Sequence, residues 1–253
     1  MGNKVTKMEE GKSLFIDTIK CIACRGCQVA CKQWNQRAAE KTTNRGSHQN
    51  PPDLSYHTWK LVRFSEVAVE GEKVNYYFFP DQCRHCLDPP CKQAADGNVK
   101  GAIAQDEKTG AVIFNPRVKM KLADFEEIRE VCPYDIPRIH SDTGTMAKCT
   151  MCFDRTKEGG LPACVKSCPT GTMNFGERKG ILEMAYKRLA EVKVLYKDAM
   201  LANPDDVRVI FLLVDNPKRY HKYAVAENAI GITRMMALKR LLQPLRSLRQ
   251  MMG

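Results

Sequence analysis

Short apolar stretches, separated by polar segments rich in glycine and proline, form the main hydrophobic pattern of this chain. Apolar and aromatic residues that alternate with polar ones over a few positions indicate strands. The predicted strands are residues 14–17, a hairpin of 56–64 with 74–79 around Gly71, a second hairpin of 102–105 with 111–114, and strands at 172–175 and 207–214. Residues 32–55 are polar and are expected to form an irregular loop.

One segment near the C-terminal end has helical periodicity. Its apolar residues recur on one face of residues 181–200, which predicts an amphipathic helix. They are Leu182, Ala185, Leu189 and Val192. Short strands, loops and a helix together predict an α+β fold.

Residues 230–253 combine leucines at helical spacing with a surplus of basic side chains. This basic amphipathic tail predicts a helix on the surface of an anionic membrane, a contact with a partner, or a disordered end. Pro244 would kink or break such a helix. No apolar run is long enough to cross a bilayer, and residues 1–12 lack the apolar core of a signal peptide.

The chain has 253 residues and a formal charge of +11, from 40 Lys+Arg and 29 Asp+Glu. This length allows one large domain or two small ones. The positive excess is concentrated in residues 216–253, which contain eight basic residues and one acidic residue. The sequence has no nucleic-acid-binding motif, so no nucleic-acid partner is expected.

Twelve cysteines dominate the candidate chemistry. The first four have the spacing C-x2-C-x2-C-x3-C of bacterial 4Fe-4S ferredoxins. Zinc sites normally use two ligand pairs separated by a long spacer, and closely spaced cysteines suit metal ligation better than disulfides. The spacing therefore favours iron–sulfur clusters over zinc and disulfides.

The cysteines fall into four groups. They are Cys21, Cys24, Cys27 and Cys31; Cys83, Cys86 and Cys91; Cys132; and Cys149, Cys152, Cys164 and Cys168. The third and fourth groups end in Cys-Pro, as ferredoxin runs do. This arrangement predicts two ferredoxin-like two-cluster modules, one nested inside the other.

In a two-cluster ferredoxin, the last cysteine of each group binds the partner group's cluster. If the first group pairs with the fourth and the second with the third, all twelve cysteines divide into three complete sets. The sets are Cys21, Cys24, Cys27 and Cys168; Cys31, Cys149, Cys152 and Cys164; and Cys83, Cys86, Cys91 and Cys132. Three 4Fe-4S clusters are therefore predicted.

A fourth cluster would need four ligands that the sequence lacks. The corresponding positions are Ala95, Leu122, Phe125 and Ile128. All four positions belong to one cluster site, whereas random loss of four ligand cysteines would usually damage several cluster sites. This indicates that one whole cluster has been lost, with apolar side chains filling the space because a void is costly. The alternative is that Cys132 is a lone buried thiol and that residues 122–128 are an ordinary core-facing helix.

Several side chains beside the cysteines carry positive charge, which would favour the reduced form of a cluster. They are Arg25, Arg84, His85, Lys148 and Arg155. His85 is not needed as a ligand, because the cysteines alone complete the three sets. Trp34, three residues after Cys31, is expected to pack in the core.

These motifs resemble the iron–sulfur subunits of the molybdenum or tungsten bis-pterin oxidoreductases. The resemblance covers residues 13–176 and rests on the runs CIACRGCQVAC, CRHCLDPPC, CPYDIPR and CTMCFDR, with CVKSCPTGTMNFG. Within this superfamily the chain is most similar to the small subunit of soluble formate dehydrogenases of sulfate-reducing bacteria. This similarity rests on the three-cluster pattern and on the segments at 46–52, 78–86 and 216–221.

The resemblance implies a double ferredoxin-like domain over residues 13–176. Residues 13–35 with 140–176 would form one module, and 75–139 the inserted module. A helix–strand extension at 177–229 and the basic amphipathic tail would follow. Co-export with a partner implies a periplasmic location, although a cytoplasmic one stays open.

The implied function is electron transfer from a subunit that oxidises formate at a tungsten or molybdenum bis-pterin centre to an external acceptor, such as a multihaem cytochrome c. The cluster of Cys21 would face the catalytic subunit and that of Cys83 would be the exit. The chain has no nucleophile–base set, phosphate loop or pterin site, so no catalytic site of its own is expected.

Other functions stay open at this point. The chain could be the equivalent subunit of a polysulfide, thiosulfate or dimethyl sulfoxide reductase. A free-standing polyferredoxin would not need the long segment at 177–253. A zinc-binding interaction module would be colourless, whereas an iron–sulfur protein is brown.

Overall fold

The computed structural model of the protein describes residues 10–69 and 73–226. The turn around Gly71 and the basic amphipathic tail at 230–253 lie outside the described residues. Among the helices that are described, none is long and apolar enough to cross a membrane.

Short strands and helices alternate along the described residues. The strands are β1 Lys12–Asp17, β2 Leu61–Val69, β3 Lys73–Asp81, β4 Ile103–Gln105, β5 Val112–Phe114, β6 Arg138–Ile139, β7 Met146–Ala147, β8 Met173–Glu177, β9 Met200–Leu201 and β10 Val209–Leu213. The helices are α1 Gly26–Trp34, α2 Pro90–Asn98, α3 Leu122–Glu130, α4 Phe153–Thr156, α5 Ala163–Lys166, α6 Arg178–Lys193 and α7 Pro217–Tyr220. The fold is α+β, as the hydrophobic pattern predicts.

A four-stranded sheet with the order β8-β1-β10-β9 joins the two ends of the described chain. β1 pairs antiparallel with β8 and parallel with β10, where Phe15 lies opposite Ile210. β9 pairs antiparallel with the other side of β10. The segment after residue 177, expected as an extension, thus supplies two strands to the sheet whose β1 leads into the first cysteine group.

The inner strands of this sheet are buried on both faces. Leu14, Phe15 and Ile16 are at most 2% exposed, and every residue of β10 is inaccessible to solvent. Such strands read as continuous apolar runs rather than as alternating ones. Helix α6 packs against β1 and buries Ile181 and Ala185, so the sheet is a rigid base for the cysteine loops.

Both predicted hairpins are present, with shifted bounds. The β2–β3 ladder runs from Leu61 opposite Asp81 to Val69 opposite Lys73, so its first strand begins at Leu61 and not at Tyr56. The β4–β5 ladder pairs Ile103 with Phe114. The irregular loop predicted at 32–55 begins only after α1 ends, and residues 35–60 contain no helix or strand.

Helix α6 ends at Lys193, earlier than the predicted end at residue 200. Val194 and Leu195 are more than three-quarters exposed, whereas Met200–Leu201 forms β9 and pairs with β10. The apolar residues beyond Lys193 do not belong to the helix: Val194 and Leu195 are exposed, and Leu201 is buried where β9 pairs with β10.

Gly110, in the turn between β4 and β5, has a left-handed backbone with φ of +72°. A Cβ at this position would overlap the guanidinium of Arg208, which is buried and donates to the carbonyl oxygens of Glu10 and Lys12. We therefore expect Gly110→Ala to lower the free energy of unfolding by about 2–3 kcal/mol, measured by thermal unfolding in circular dichroism.

The matched control is Gly159→Ala. Gly159 has a similar φ of +78°, but its Cβ would meet nothing within 4 Å. This variant carries only the backbone strain, about 1 kcal/mol. Equal losses of unfolding free energy in the two variants would show that the overlap with Arg208 does not destabilise Gly110→Ala.

Candidate metal centres

The twelve cysteine thiols line three separate cavities, four to each. The first cavity is lined by Cys21, Cys24, Cys27 and Cys168, the second by Cys31, Cys149, Cys152 and Cys164, and the third by Cys83, Cys86, Cys91 and Cys132. Their volumes are about 290, 370 and 330 Å³, in part open to solvent. The structure thus brings together the three sets that the ferredoxin crossing pattern predicts. That these thiols bind clusters stays a prediction.

The first cysteine group supplies two cavities because a helix begins in the middle of it. Ala23 and Arg25 have left-handed φ values of 53° and 61°, and these fold the chain tightly before α1. Cys27 lies in the first turn of α1 and Cys31 one turn further. Four helical residues advance about 6 Å along the axis, so Cys31 reaches the second cavity while Cys27 lines the first.

The fourth group makes the complementary division around α5. Cys164 lies in α5 and lines the second cavity, whereas Cys168 follows the helix and lines the first. Helices α1 and α5 pack against each other. This contact brings together cysteines that are more than a hundred residues apart in sequence.

The thiols surround space instead of converging on one point. All twelve cysteines are free of disulfides. Within residues 10–69 and 73–226, no group of three or more His, Cys, Asp or Glu side chains is arranged to hold a single metal ion. This arrangement fits a multi-iron cluster better than a zinc ion.

Burial makes most of these thiols poor anions unless a metal binds them. It raises the pKa of Cys27 and of Cys91 to about 12, and the pKa of Cys132 and of Cys152 to about 11. Such thiols are protonated at neutral pH, but a coordinating thiol is deprotonated outright. The donor set therefore suits a bound metal cluster that balances the thiolate charge.

Backbone amides are also directed at the sulfurs. The N–H of Met151 donates to Cys149 Sγ at 3.4 Å, and the N–H of His85 donates to Cys83 Sγ at 3.4 Å. Met151 and His85 both have a left-handed φ, so the same local turn follows the first cysteine of each pair. Hydrogen bonds to sulfur are among the factors that set cluster potentials.

Lys60 is a site residue that the sequence analysis missed. It is 1% exposed, and its ammonium donates to Gln82 Oε1 at 2.5 Å and to the Pro80 carbonyl at 3.2 Å. Burial lowers the pKa of Lys60, but the charges of nearby cysteines outweigh burial and raise it. The available signal was a charged residue in the apolar run between Trp59 and Leu61.

The positively charged residues predicted beside the cysteines differ in their environments. Lys148 is buried and donates to the carbonyl oxygens of Val112 and Cys149. Arg84 is buried and pairs with Asp81 at 2.9 Å. Arg25 and Arg155 are only partly buried.

His85 accepts a hydrogen bond on Nδ1 from the N–H of Val112 at 3.0 Å and does not line the third cavity. Burial holds the pKa of His85 well below its ordinary value, so the imidazole is neutral. The geometry agrees with a cluster that is held by cysteines alone.

The expectation that Trp34 packs in the core is wrong. Its ring is 45% exposed, and its Nε1 donates to Asp154 Oδ2 at 2.8 Å. The Arg155 guanidinium lies 4.1 Å from the ring centroid. A cation–π contact and a hydrogen bond hold the indole at the surface.

Three of the four positions that lack a ligand cysteine lie in one hydrophobic cluster. Ala95, Phe125 and Ile128 are at most 3% exposed and belong to the same core, where α2 packs against α3. Leu122 begins α3 and is 60% exposed. Leu122 therefore does not fill the space of a lost cluster. The buried face of α3 contains fewer residues than the apolar spacing of Leu122, Phe125 and Ile128 predicts.

Comparison with known proteins agrees with these features. Residues 74–178 match the family described as 4Fe-4S dicluster domain. The chain is 55% identical over 215 residues to formate dehydrogenase subunit beta of Megalodesulfovibrio gigas, covering 85% of this chain and 99% of the relative. It is 50% identical over 214 residues to formate dehydrogenase 2 subunit beta (cytochrome c-553) of Nitratidesulfovibrio vulgaris, covering 84% and 98%.

A more distant relative is the iron–sulfur subunit of the nitrate-inducible formate dehydrogenase of Escherichia coli, 38% identical over 213 residues, with 82% of this chain and 70% of the relative covered. The α+β fold, the thiol-lined cavities and the dicluster match define an iron–sulfur protein of the ferredoxin-like, electron-transfer class. Within that class, the chain belongs to the family of formate dehydrogenase beta, or iron–sulfur, subunits.

Proposed function

We propose that the chain holds three 4Fe-4S clusters, one in each cavity, with the four cysteines that line the cavity as ligands. The support is that the twelve thiols divide into three sets of four without remainder. When bound, each cluster supplies a one-electron redox centre whose potential depends on net charge, hydrogen bonds and exposure. The residues of the chain hold the clusters, limit solvent access and fix those three factors.

The proposed domain organisation is two nested modules, residues 13–35 with 140–176 and the inserted 75–139. The packing of α1 against α5 in the first and of α2 against α3 in the second supports it. The extension at 177–229 would brace the first module through β10. In the inserted module, Ala95, Leu122, Phe125 and Ile128 would mark a lost fourth cluster, with Ala95, Phe125 and Ile128 filling its place.

The proposed role is to carry electrons between a catalytic formate dehydrogenase subunit, with a tungsten or molybdenum bis-pterin centre, and an external acceptor. The relatives are beta subunits of formate dehydrogenases, which supports a catalytic partner. The name of the Nitratidesulfovibrio vulgaris relative includes cytochrome c-553. This supports a c-type cytochrome, for example a multihaem one, as the acceptor.

The test is to purify the chain with the subunit that accompanies it and to identify that subunit by mass spectrometry. Formate is then added with cytochrome c, and haem reduction is followed by absorbance. We expect rapid reduction of the cytochrome. Rapid reduction of a quinone instead, or a companion subunit that uses polysulfide, thiosulfate or dimethyl sulfoxide, would overturn the proposal.

The first cavity is the proposed contact side for the catalytic subunit. Cys24 and Ile22 both line it; Cys24 is exposed, Ile22 is 62% exposed, and Val29 in the following helix α1 is 63% exposed. Apolar side chains that flank a redox site in this way are typical of an interaction surface. The third cavity, with Cys83, would be the exit towards the acceptor.

We expect Ile22→Asp to weaken binding to the catalytic subunit at least tenfold, because a carboxylate would lose its hydration in the interface. Affinity is measured by titration of the separated subunits, and iron content is measured in parallel. The control is Val194→Asp, which changes a residue that is 80% exposed just after α6. Equal weakening by both variants, or none by Ile22→Asp, would place the contact elsewhere.

A periplasmic location, with export alongside the catalytic partner, is proposed from the family resemblance. The residues after 230 are proposed to touch a membrane surface. Fractionation of cells that carry the tagged full chain tests the first, and pelleting with anionic vesicles, before and after removal of residues 230–253, tests the second. A cytoplasmic fraction, or unchanged pelleting, would refute the respective idea.

A further inference from the structure

Lys60 lies at the junction between the first and second cavities. Trp59, before it, lines the second cavity, and Val62, after it, lines the first. Gln82, which accepts a hydrogen bond from the Lys60 ammonium, also lines the second cavity. Cys27 of the first cavity and Cys164 of the second lie close enough to this ammonium for their thiolates, once a cluster binds, to act on its charge.

Lys60 is a buried charge without a carboxylate partner in the part of the chain that the structure describes. Within the described residues, no Asp or Glu lies within ion-pair distance of Lys60, and its ammonium donates to a neutral amide and a carbonyl. Arg84 is equally buried, but it is paired with Asp81. An unpaired charge is costly to bury. We therefore expect negatively charged groups in both cavities to compensate the charge of Lys60.

Lys148 repeats this arrangement at the junction between the second and third cavities. It lines the third cavity and immediately precedes Cys149, which lines the second. It is 2% exposed and donates to the carbonyl oxygens of Val112 and Cys149. In the described part of the chain, no carboxylate pairs with it either.

We propose that Lys60 and Lys148 are fixed counter-charges at the two junctions of the cluster series, and that each raises the reduction potentials of the two clusters beside it. The proposal rests on the proposed three-cluster assignment. Reduction adds one negative charge to a cluster, and a nearby positive charge stabilises the reduced form more than the oxidised one. The weakly polar interior strengthens this effect, and cluster potentials respond to local net charge.

The two lysines should affect different pairs of clusters, which can be checked without knowing which redox signal belongs to which cluster. The second cavity, with Cys31, Cys149, Cys152 and Cys164, adjoins both lysines, whereas each outer cavity adjoins one. Removing either charge should therefore lower two of the three potentials, and one potential should be lowered in both variants.

The experiment is a redox titration of the full chain, purified anaerobically in the complex it forms and followed by electron paramagnetic resonance. The variants are Lys60→Met and Lys148→Met. In each, we expect two couples to shift to lower potential by at least a tenfold change in the reduction equilibrium, about 59 mV for one electron. The third couple should stay within a few-fold change of the unmodified protein.

The matched control is Lys187→Met, which removes an exposed charge from α6 and should leave all three couples in place. A second variant, Gln82→Glu, keeps Lys60 but places a carboxylate at its acceptor atom. It should lower the same two couples as Lys60→Met, and it keeps the proposal testable if loss of the lysine prevents folding.

These measurements distinguish a failure of the three-cluster assignment from a failure of the counter-charge role. Fewer than about twelve irons per chain, or fewer than three couples, in the unmodified protein would refute the three-cluster assignment. Three intact clusters whose potentials stay unchanged in Lys60→Met, Lys148→Met and Gln82→Glu would refute the counter-charge role. Equal shifts of all three couples in every variant, the control included, would refute it as well.

Discussion

Replacement of Cys164 by serine is expected to leave about eight iron atoms per chain in place of about twelve, because each 4Fe-4S cluster holds four irons and four cysteines. The lost cluster would be that of the second cavity, which lies between the other two. Electron transfer from formate to cytochrome c should therefore fall at least a hundredfold, since the middle of the series is removed. Iron analysis and the rate of haem reduction measure the two effects.

Double variants test which distant cysteines share a cluster. Cys31→Ser with Cys164→Ser should lose no more iron than either single change, because both thiols line the second cavity. Cys164→Ser with Cys168→Ser should leave only about four irons, because these near neighbours line different cavities. The reverse result would mean that each group binds its own cluster.

The control for these changes is Met151→Leu. Met151 lines the same cavity and is buried, but its side chain is not expected to be a ligand. A volume-conserving apolar exchange usually costs less than about 1.5 kcal/mol. The iron content should therefore stay at the unmodified level, and a loss in this variant would show that packing alone explains the cysteine results.

The second large effect is expected from Asp81→Asn. Asp81 is fully buried, and it accepts hydrogen bonds from Arg84 at 2.9 Å and from Arg63 at 2.7 Å. Removing its charge leaves two buried guanidinium groups without their shared partner, which costs about 3–5 kcal/mol. For a chain of this size, the midpoint of thermal unfolding should fall by roughly 10 °C, measured at one fixed heating rate under anaerobic conditions.

Asp53→Asn is the matched control, since Asp53 also pairs with Arg63 at 2.7 Å and with Arg138 at 3.0 Å. Its side chain is 47% exposed, so water can replace much of the lost interaction and the cost should be about 1 kcal/mol or less. Losses of equal size in the two variants would contradict the assignment of Asp81 as the buried anchor.

The pH dependence of the Asp81 effect has a definite sign. Burial raises the pKa of Asp81, but the charges of Arg84 and Arg63 outweigh burial and lower it below its ordinary value. A carboxyl with a lowered pKa contributes stability above its ordinary pKa and loses it as the pH falls through the lowered value. The difference between the protein and Asp81→Asn should therefore be constant between about pH 5 and 8.

Several features of the fold and of the candidate site could be predicted locally. The strands β1, β4, β5, β8 and β10 lie close to their predicted positions because each is a short apolar run between turn residues. The end of α6 could not be placed, since apolar residues continue after Lys193: Val194 and Leu195 stay exposed, and Leu201 is buried in β9 beside β10. Leu122 has the spacing of a core residue but is exposed, because only contact with α2 decides which part of α3 is covered.

The buried charges were harder to predict than the cysteines. The position of Lys148 next to Cys149 is evident from the sequence, but its burial is not. Lys60 immediately precedes β2, where its position between Trp59 and Leu61 is a weak local signal, and Asp81 ends β3, where the neighbouring sequence does not mark it as buried. Their roles follow from Gln82, Arg63 and Arg84, which the hairpin β2–β3 and the loop after it bring alongside.

The sequence by itself determined the ligand chemistry and the grouping of the cysteines, because spacings of two or three residues are covalent constraints that hold in any fold. The tertiary structure decided whether the predicted sets of thiols come together, because the packing of α1 against α5 joins segments that the chain separates by more than a hundred residues. It also decided that Lys60 and Lys148 are buried beside the cavities with no carboxylate partner among residues 10–69 and 73–226. Whether a side chain is buried depends on the packing of the whole molecule, and the local sequence predicts it poorly.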